Sequence, residues 1–152
     1  MNPEGISILL VEDEEDDVIV TKRAFEESSM NPQLYVASDG LDALQQLGIE
    51  DGIPAEEHKT PQLILLDLNM DRMDGFEFLQ ILRSNEMFKS IPVIVLSSSD
   101  RQNDVNRAYE VGANNYIVKP VDVHDFKRVI SAVEDYWFVT SKIPKAKRTI
   151  SS

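Results

Sequence analysis

Five short apolar stretches, rich in β-branched residues, punctuate the chain at residues 6–11, 33–37, 63–66, 93–96 and 116–118. The first, third and fourth are near-continuous apolar runs, the pattern of strands covered on both faces of a parallel sheet. Between the runs, apolar residues recur at helical spacing. Val18, Thr21 and Phe25 share one face, Leu41, Leu44 and Leu47 a second, Phe78, Leu79 and Leu82 a third, and Val105 with Ala108 a weaker fourth. The last set, Phe126, Val129, Ile130, Val133 and Trp137, follows Asp122, a residue suited to cap a helix N-terminus. Strand and helix therefore alternate five times. The expected fold is α/β, a (βα)5 doubly wound parallel five-stranded sheet with right-handed crossovers and helices on both faces. Ligands of such sheets bind beyond the carboxyl ends of the strands, where the strand order reverses. That rule points to the residues just after Val11, Leu66, Leu96 and Val118.

Composition narrows the classes. At 152 residues, 42% apolar and 28% charged, the chain has the make-up of one folded domain with a substantial core. Residues 1–140 are read as that domain, with no separate output module, and residues 141–152 as a flexible basic tail. Residues 48–61, GIEDGIPAEEHKTP, are polar and form an expected surface loop. The absence of cysteine excludes disulfides, thiolate metal sites and a cysteine nucleophile, and two histidines, His58 and His124, cannot build a polyhistidine zinc site. Both are expected to face solvent. No apolar run approaches bilayer-spanning length and no basic leader precedes the first one, so the chain is read as cytosolic, without a membrane partner. Lys142, Lys145, Lys147 and Arg148 stand in the last residues without an acid, so residues 1–141 hold 11 basic and 27 acidic residues, a charge of −16. A body of that sign repels phosphate backbones, and no nucleic-acid partner is expected.

The chemistry collects at the strand ends. Six acids in succession, Glu12 to Asp17, follow the first strand. Glu14, Glu15, Asp16 and Asp17 suit the first turn of the next helix, where the dipole is positive. Glu12 and Asp13 sit where the strand stops, and Asp67 directly follows the apolar run LILL. Three carboxylates from two strands repel one another and raise at least one pKa, and the common remedy is a hard divalent cation, Mg²⁺ being the natural candidate. The fourth strand ends at Ser97 and the fifth at Lys119-Pro120, adding a hydroxyl and an ammonium to the rim. Such a site is able to take a phosphoryl group on an aspartate. Asp67 would attack phosphorus, while Mg²⁺, Ser97 and Lys119 would stabilise charge on the transferring oxygens.

The motifs ILLVED, LILLDLNMDRMDGFEFL, IPVIVLSSS and GANNYIVKPV, in this order and at this spacing, strongly resemble the receiver domains of bacterial two-component response regulators over roughly residues 6–139. The resemblance implies the flavodoxin-like strand order 2-1-3-4-5 and a phosphoacceptor at Asp67. It implies Mg²⁺ held directly by Asp13 and Asp67, through water by Glu12, and by the backbone carbonyl of Asn69. Ser97 and Tyr116 would form a switch pair, the hydroxyl turning toward the phosphate as the ring moves inward. Lys119-Pro120 would be cis, with Lys119 paired to Asp67 or to the phosphate. Within the family the chain is most similar to single-domain regulators paired with phytochrome-type histidine kinases, which share the acidic opening, the long loop and an ending like EDYWFVTSKIPK. The implied partners are a sensor histidine kinase and a downstream protein target or phosphotransfer protein. Self-catalysed phosphoryl transfer with slow autodephosphorylation is implied, without turnover of a separate substrate.

Three positions depart from the family pattern: Glu12 stands for the commoner Asp, Asp71 for the usual Pro, and Ser97 for the commoner Thr. None removes a group that phosphoryl transfer needs. A phosphatase of the haloacid dehalogenase type would place an acid two positions after the nucleophile, and Asn69 there cannot serve. A flavin-binding domain of this architecture would need a Ser/Thr/Gly-rich phosphate cradle that the strand-end loops lack. A non-phosphorylated pseudo-receiver scaffold remains the alternative, although such a domain is expected to have lost Asp67, an acidic partner or Lys119. The final helix cannot bury Tyr136, Phe138 and Val139 together on the face that carries Trp137, because adjacent positions are rotated by about 100°. Either the helix end curls back onto its own domain, or a homodimer forms through the fourth helix, fifth strand and fifth helix.

Overall fold

The structure, a computed structural model, describes residues 6–28, 30–49, 60–140, 142 and 144. The strands are β1 (Ser7–Val11), β2 (Gln33–Ala37), β3 (Leu63–Leu66), β4 (Val93–Ser97) and β5 (Asn115–Val118). They alternate with α1 (Glu15–Glu26), α2 (Gly40–Leu47), α3 (Gly75–Ser84), α4 (Gln102–Val111) and α5 (Val123–Glu134). One parallel sheet has the order β2-β1-β3-β4-β5, as the resemblance implies. The strand-end register is what builds a site. Val11 pairs with both Ala37 and Leu66, Leu66 with Val95, and Ser97 with Val118, so the carboxyl ends finish along one rim. The order reverses at β1, which puts the crevice between β1 and β3.

Apolar runs on both faces follow from two separate cores. Leu9, Val11, Ile64, Leu66, Val93 and Val95 pack toward Leu44, Phe78, Leu82 and Ala108 of α2, α3 and α4. Ile8, Leu10, Leu63, Leu65, Ile94 and Leu96 pack toward Phe25, Phe126, Ile130 and Val133 of α1 and α5. Residues of LILL are fully buried; each such side chain contributes about 1.5–3 kcal/mol by leaving water, which fixes β3 as the central strand. Asp39, Asp74 and Asp122 cap α2, α3 and α5, and Asp122, expected from the sequence, accepts the N–H groups of both His124 and Asp125.

Two features have no signature in the apolar pattern. Arg83 on α3 is a hub: its guanidinium donates to the carbonyls of Gly112 (2.9 Å), Lys89 (2.9 Å) and Ile91 (2.7 Å) and to Asn114 Oδ1 (2.9 Å). Burial holds its pKa below the usual arginine value. Gly112 has φ +127°, and a Cβ there would press on the Arg83 side chain, so glycine is required twice over. Beyond α5 the chain widens into a π-helical segment, Asp135–Thr140. Trp137 and Phe138 pack against the α1–α5 core while Tyr136 and Val139 stay exposed. The helix end thus keeps part of its apolar surface on its own domain and leaves part outside. No helix among the described residues is long and apolar enough to cross a membrane. Most of the expected 48–61 loop, His58 within it, and nearly all of the expected 141–152 tail lie outside the described residues.

Candidate functional site

Asp67 is set at the mouth of the crevice by its backbone. Its N–H donates to the Val11 carbonyl, as the Glu12 N–H does to the Ala37 carbonyl, so the sheet ladder delivers both carboxylates to the same end. Asp67 is 6% exposed and its Oδ1 accepts the Leu68 N–H at 2.8 Å. The start of α3 presses close behind it: Gly75 N–H donates to the Leu68 carbonyl, and a Cβ on Gly75 would collide with the Asp67 carbonyl. Glu12 is buried, Asp13 is exposed, and carboxylate oxygens of Glu12, Asp13 and Asp67 lie within 4.8 Å of one another. A shallow cavity of about 360 Å³ adjoins them, lined by Asp13, Asn69, Met70, Asp71 and Asp74. The Asn69 side of the rim is exposed.

Crowding shows in the protonation equilibria. Burial pushes Glu12 up to about 7, with the charge of Asp67 adding to the rise and Lys119 opposing it. Burial also raises Asp67, against the pull of Lys119 and the Leu68 N–H. Burial alone would lower Lys119, but hydrogen bonds to Asp17 and Glu12 outweigh it and hold the ammonium charged. Hard oxygen donors with an excess of negative charge fit a divalent cation of the Mg²⁺ type.

Lys119 reaches the site from the end of β5, its backbone N–H donating to the Ser97 carbonyl at 2.8 Å. Its placement corrects one expectation. The Lys119-Pro120 bond is trans, since no described peptide bond is cis. Trans is the intrinsically favoured isomer by about 0.5–1 kcal/mol, and β5 already aims the lysine inward without a reversal of the chain. Nζ also stands 3.9 Å from Asp67 Oδ2, an ion-pair distance but not a hydrogen bond. Its hydrogen bonds go to Glu12 Oε1 at 2.7 Å and to Asp17 Oδ2 at 2.8 Å. Asp17 was expected only to complement the α1 dipole. Its spacing, one helical turn beyond Asp13, is the signal that could have singled it out.

Ser97 is fully buried at the end of β4, and its Oγ accepts the Ser99 N–H at 3.2 Å. Tyr116 lies partly buried, its phenol donating to the Ser99 carbonyl and its backbone N–H donating to the Tyr109 hydroxyl at 3.1 Å. The two residues expected to act as a pair therefore meet through Ser99, which the sequence reading passed over. The Ser99 hydroxyl in turn donates to Asp104 at the start of α4, at 2.6 Å.

Asp71, where the resembling family usually has Pro, is exposed, and its neighbour is the residue tied down. Arg72 adopts the left-handed region (φ +58°) and forks onto Asp39, Nε to Oδ2 at 2.6 Å and Nη2 to Oδ1 at 3.1 Å. Burial would raise Asp39, but the Arg72 guanidinium and nearby backbone N–H groups hold it below the usual carboxylate range. Beside this pair, Gly40 N–H donates to the Met73 carbonyl, tying the β3–α3 loop to α2. His124 is exposed, as expected.

Comparison with known proteins agrees with this geometry. The family model for the response regulator receiver domain matches residues 8–131. Over 148 residues the chain is 36% identical to response regulator Rcp1 of Synechocystis sp., covering 95% of this chain and 97% of that one. The crystal structure of the phosphorylated cyanobacterial phytochrome response regulator RcpA is similar with a TM-score of 0.86 at 31% identity, over 92% of this chain and 99% of that one. The Mn²⁺-bound form of Rcp1 follows with a TM-score of 0.83 at 34% identity, over 91% and 99% of the two chains. Matched across most of its length in sequence and in fold, this chain belongs to the receiver domain family of two-component response regulators.

Proposed function

We propose that Asp67 accepts a phosphoryl group from a sensor histidine kinase and that the protein then changes its protein contacts. The observation that carries this is the placement of a buried Asp67 with Glu12 and Asp13 within metal-binding reach and a buried ammonium 3.9 Å away. One Asp67 oxygen attacks phosphorus. The P–N bond of a phosphohistidine, or the P–O bond of acetyl phosphate, breaks, and the leaving group keeps the electron pair. Mg²⁺, held by Glu12 through water, by Asp13 and Asp67, and by the Asn69 carbonyl, would neutralise charge on the phosphoryl oxygens. Lys119 and the Ser97 hydroxyl bind the remaining oxygens. The Ser97 Oγ that would do so accepts the Ser99 N–H, and the Ser99 peptide links it to Tyr116.

Similarity to phytochrome-associated regulators supports a phytochrome-type kinase as donor, and the output is contact with a downstream protein or relay to a phosphotransfer protein. Exposed Tyr109, Val118, Tyr136 and Val139 lie along α4, β5 and the π-helical segment that follows α5, and support a homodimer through that face. Incubation with acetyl phosphate and Mg²⁺ should add one phosphate to the wild type by intact mass and none to Asp67→Asn. Phosphate on that variant would overturn the assignment.

A further inference from the structure

We infer that Asp17 is a positioning residue that holds Lys119 back from Asp67, keeping the phosphoacceptor open; this rests on the reading of Asp67 and Lys119 just given. An ammonium has three N–H donors. Two are engaged, by Glu12 Oε1 at 2.7 Å and Asp17 Oδ2 at 2.8 Å. The remaining donor faces Asp67 Oδ2 across 3.9 Å, too far for a hydrogen bond. The Lys119 side chain is 8% exposed, so water offers it little alternative and its position is set by these carboxylates. Glu12 also belongs to the cluster of potential cation ligands. Asp17 is outside that cluster, and holding Lys119 is what its side chain does. It is itself fixed by the first turn of α1, where the Thr21 hydroxyl donates to its carbonyl at 2.8 Å.

Without Asp17, Lys119 closes from this 3.9 Å pairing onto Asp67 as a direct, hydrogen-bonded contact. That contact occupies the oxygen that must attack, and it has to break before phosphoryl transfer. The sign distinguishes this from simple electrostatics. Loss of a negative charge beside the site would by itself speed reaction with an anionic donor. Closure of Lys119 onto Asp67 slows it.

The test is the initial rate of labelling by acetyl phosphate with Mg²⁺, followed by intact mass. Asp17→Ala should slow labelling about tenfold, the effect of having to break one charge-assisted hydrogen bond. Asp17→Asn keeps a neutral acceptor, folds with minimal change, and should slow it less. Asp16→Asn, at the exposed neighbour, should not slow it. In a Lys119→Ala background, Asp17→Ala should lose its slowing effect. Unchanged or faster labelling of both Asp17 variants overturns the inference, as does equal slowing with and without Lys119. Failure of the wild type itself to label overturns the Asp67 reading and this inference with it, which keeps the two failures distinct.

Discussion

The phenol of Tyr116 donates to the carbonyl of Ser99 at 2.8 Å, and the N–H of that same Ser99 donates to the Ser97 hydroxyl at 3.2 Å. One peptide segment thus reads both the β4 hydroxyl and the β5 aromatic ring. Tyr116→Phe leaves the ring in place and deletes the phenolic bond, so it should cost about 1 kcal/mol in denaturant unfolding. An unchanged midpoint would mean that the bond to Ser99 adds nothing to the inward ring.

Arg72 and Asp39 join two loops that carry no regular structure between them. Asp39→Ala removes both the fork and the α2 cap and should cost about 1–2 kcal/mol. Arg72→Gly loses the fork but relieves a side chain held at positive φ, so its effect should be smaller. In both variants the Gly40 amide, bonded to the Met73 carbonyl, should exchange hydrogen faster than in the wild type. Retained protection would show that the loop is held without the ion pair.

Arg83 satisfies three carbonyls and one side-chain amide, and no carboxylate. Arg83→Ala should therefore destabilise by about 2–3 kcal/mol, through acceptors left unpaired rather than through lost charge pairing. Lysine cannot reproduce the fork, so Arg83→Lys should rescue little. A full rescue by lysine in thermal unfolding would contradict the geometry.

Glu134 is buried where α1 and α5 meet, with Ser28 Oγ–H donating to it at 2.7 Å. Burial raises its pKa above the ordinary value of 4.5, with the Ser28 bond opposing and Asp135 adding to the rise. A carboxyl raised in the folded state favours the protonated form, so its contribution is complete below the unfolded pKa and is lost as pH rises through the folded one. Glu134→Gln removes that loss. The difference in Tm, variant minus wild type, should become more positive between about pH 4 and pH 8. A difference independent of pH would sink this reading.

If the α4–β5–α5 face pairs two copies, Tyr109 contributes from both sides of the interface, since the residue is 47% exposed while its hydroxyl accepts the Tyr116 N–H. Dimer affinity and the state of Asp67 are then reciprocally linked, each shifting the other by the same factor. Sedimentation equilibrium at micromolar concentrations should show association that changes with beryllofluoride. A monomer under both conditions would exclude the dimer.

Much of this is legible because both sheet faces are covered: LILL and VIVL read as strands from their unbroken apolar runs, and the crevice rule then leads directly to Asp67 and Ser97. The strand-end acids read equally well. Asp17 was obscured by a second sufficient explanation, the α1 dipole, since a helix-opening acid and a lysine anchor look alike in one dimension. The Arg72–Asp39 and Arg83 contacts span 33 and up to 31 residues of chain through loops, where no periodicity exists to link partners. The isomer of Lys119-Pro120 was expected from resemblance, and local energetics discriminate too weakly to fix it.

The π-helical segment Asp135–Thr140 bears on how this chain is lined up against others. Its turns close i→i+5 instead of i→i+4, so it accommodates residues that a straight continuation of α5 would not. Matched position by position to a relative with a regular helix here, residues toward the end of the segment would drift in facing by up to about 100°, one residue of offset. Phe138, which packs on the α1–α5 core, would then be equated with a position turned away from it, whereas Trp137 falls on the inward face in either register.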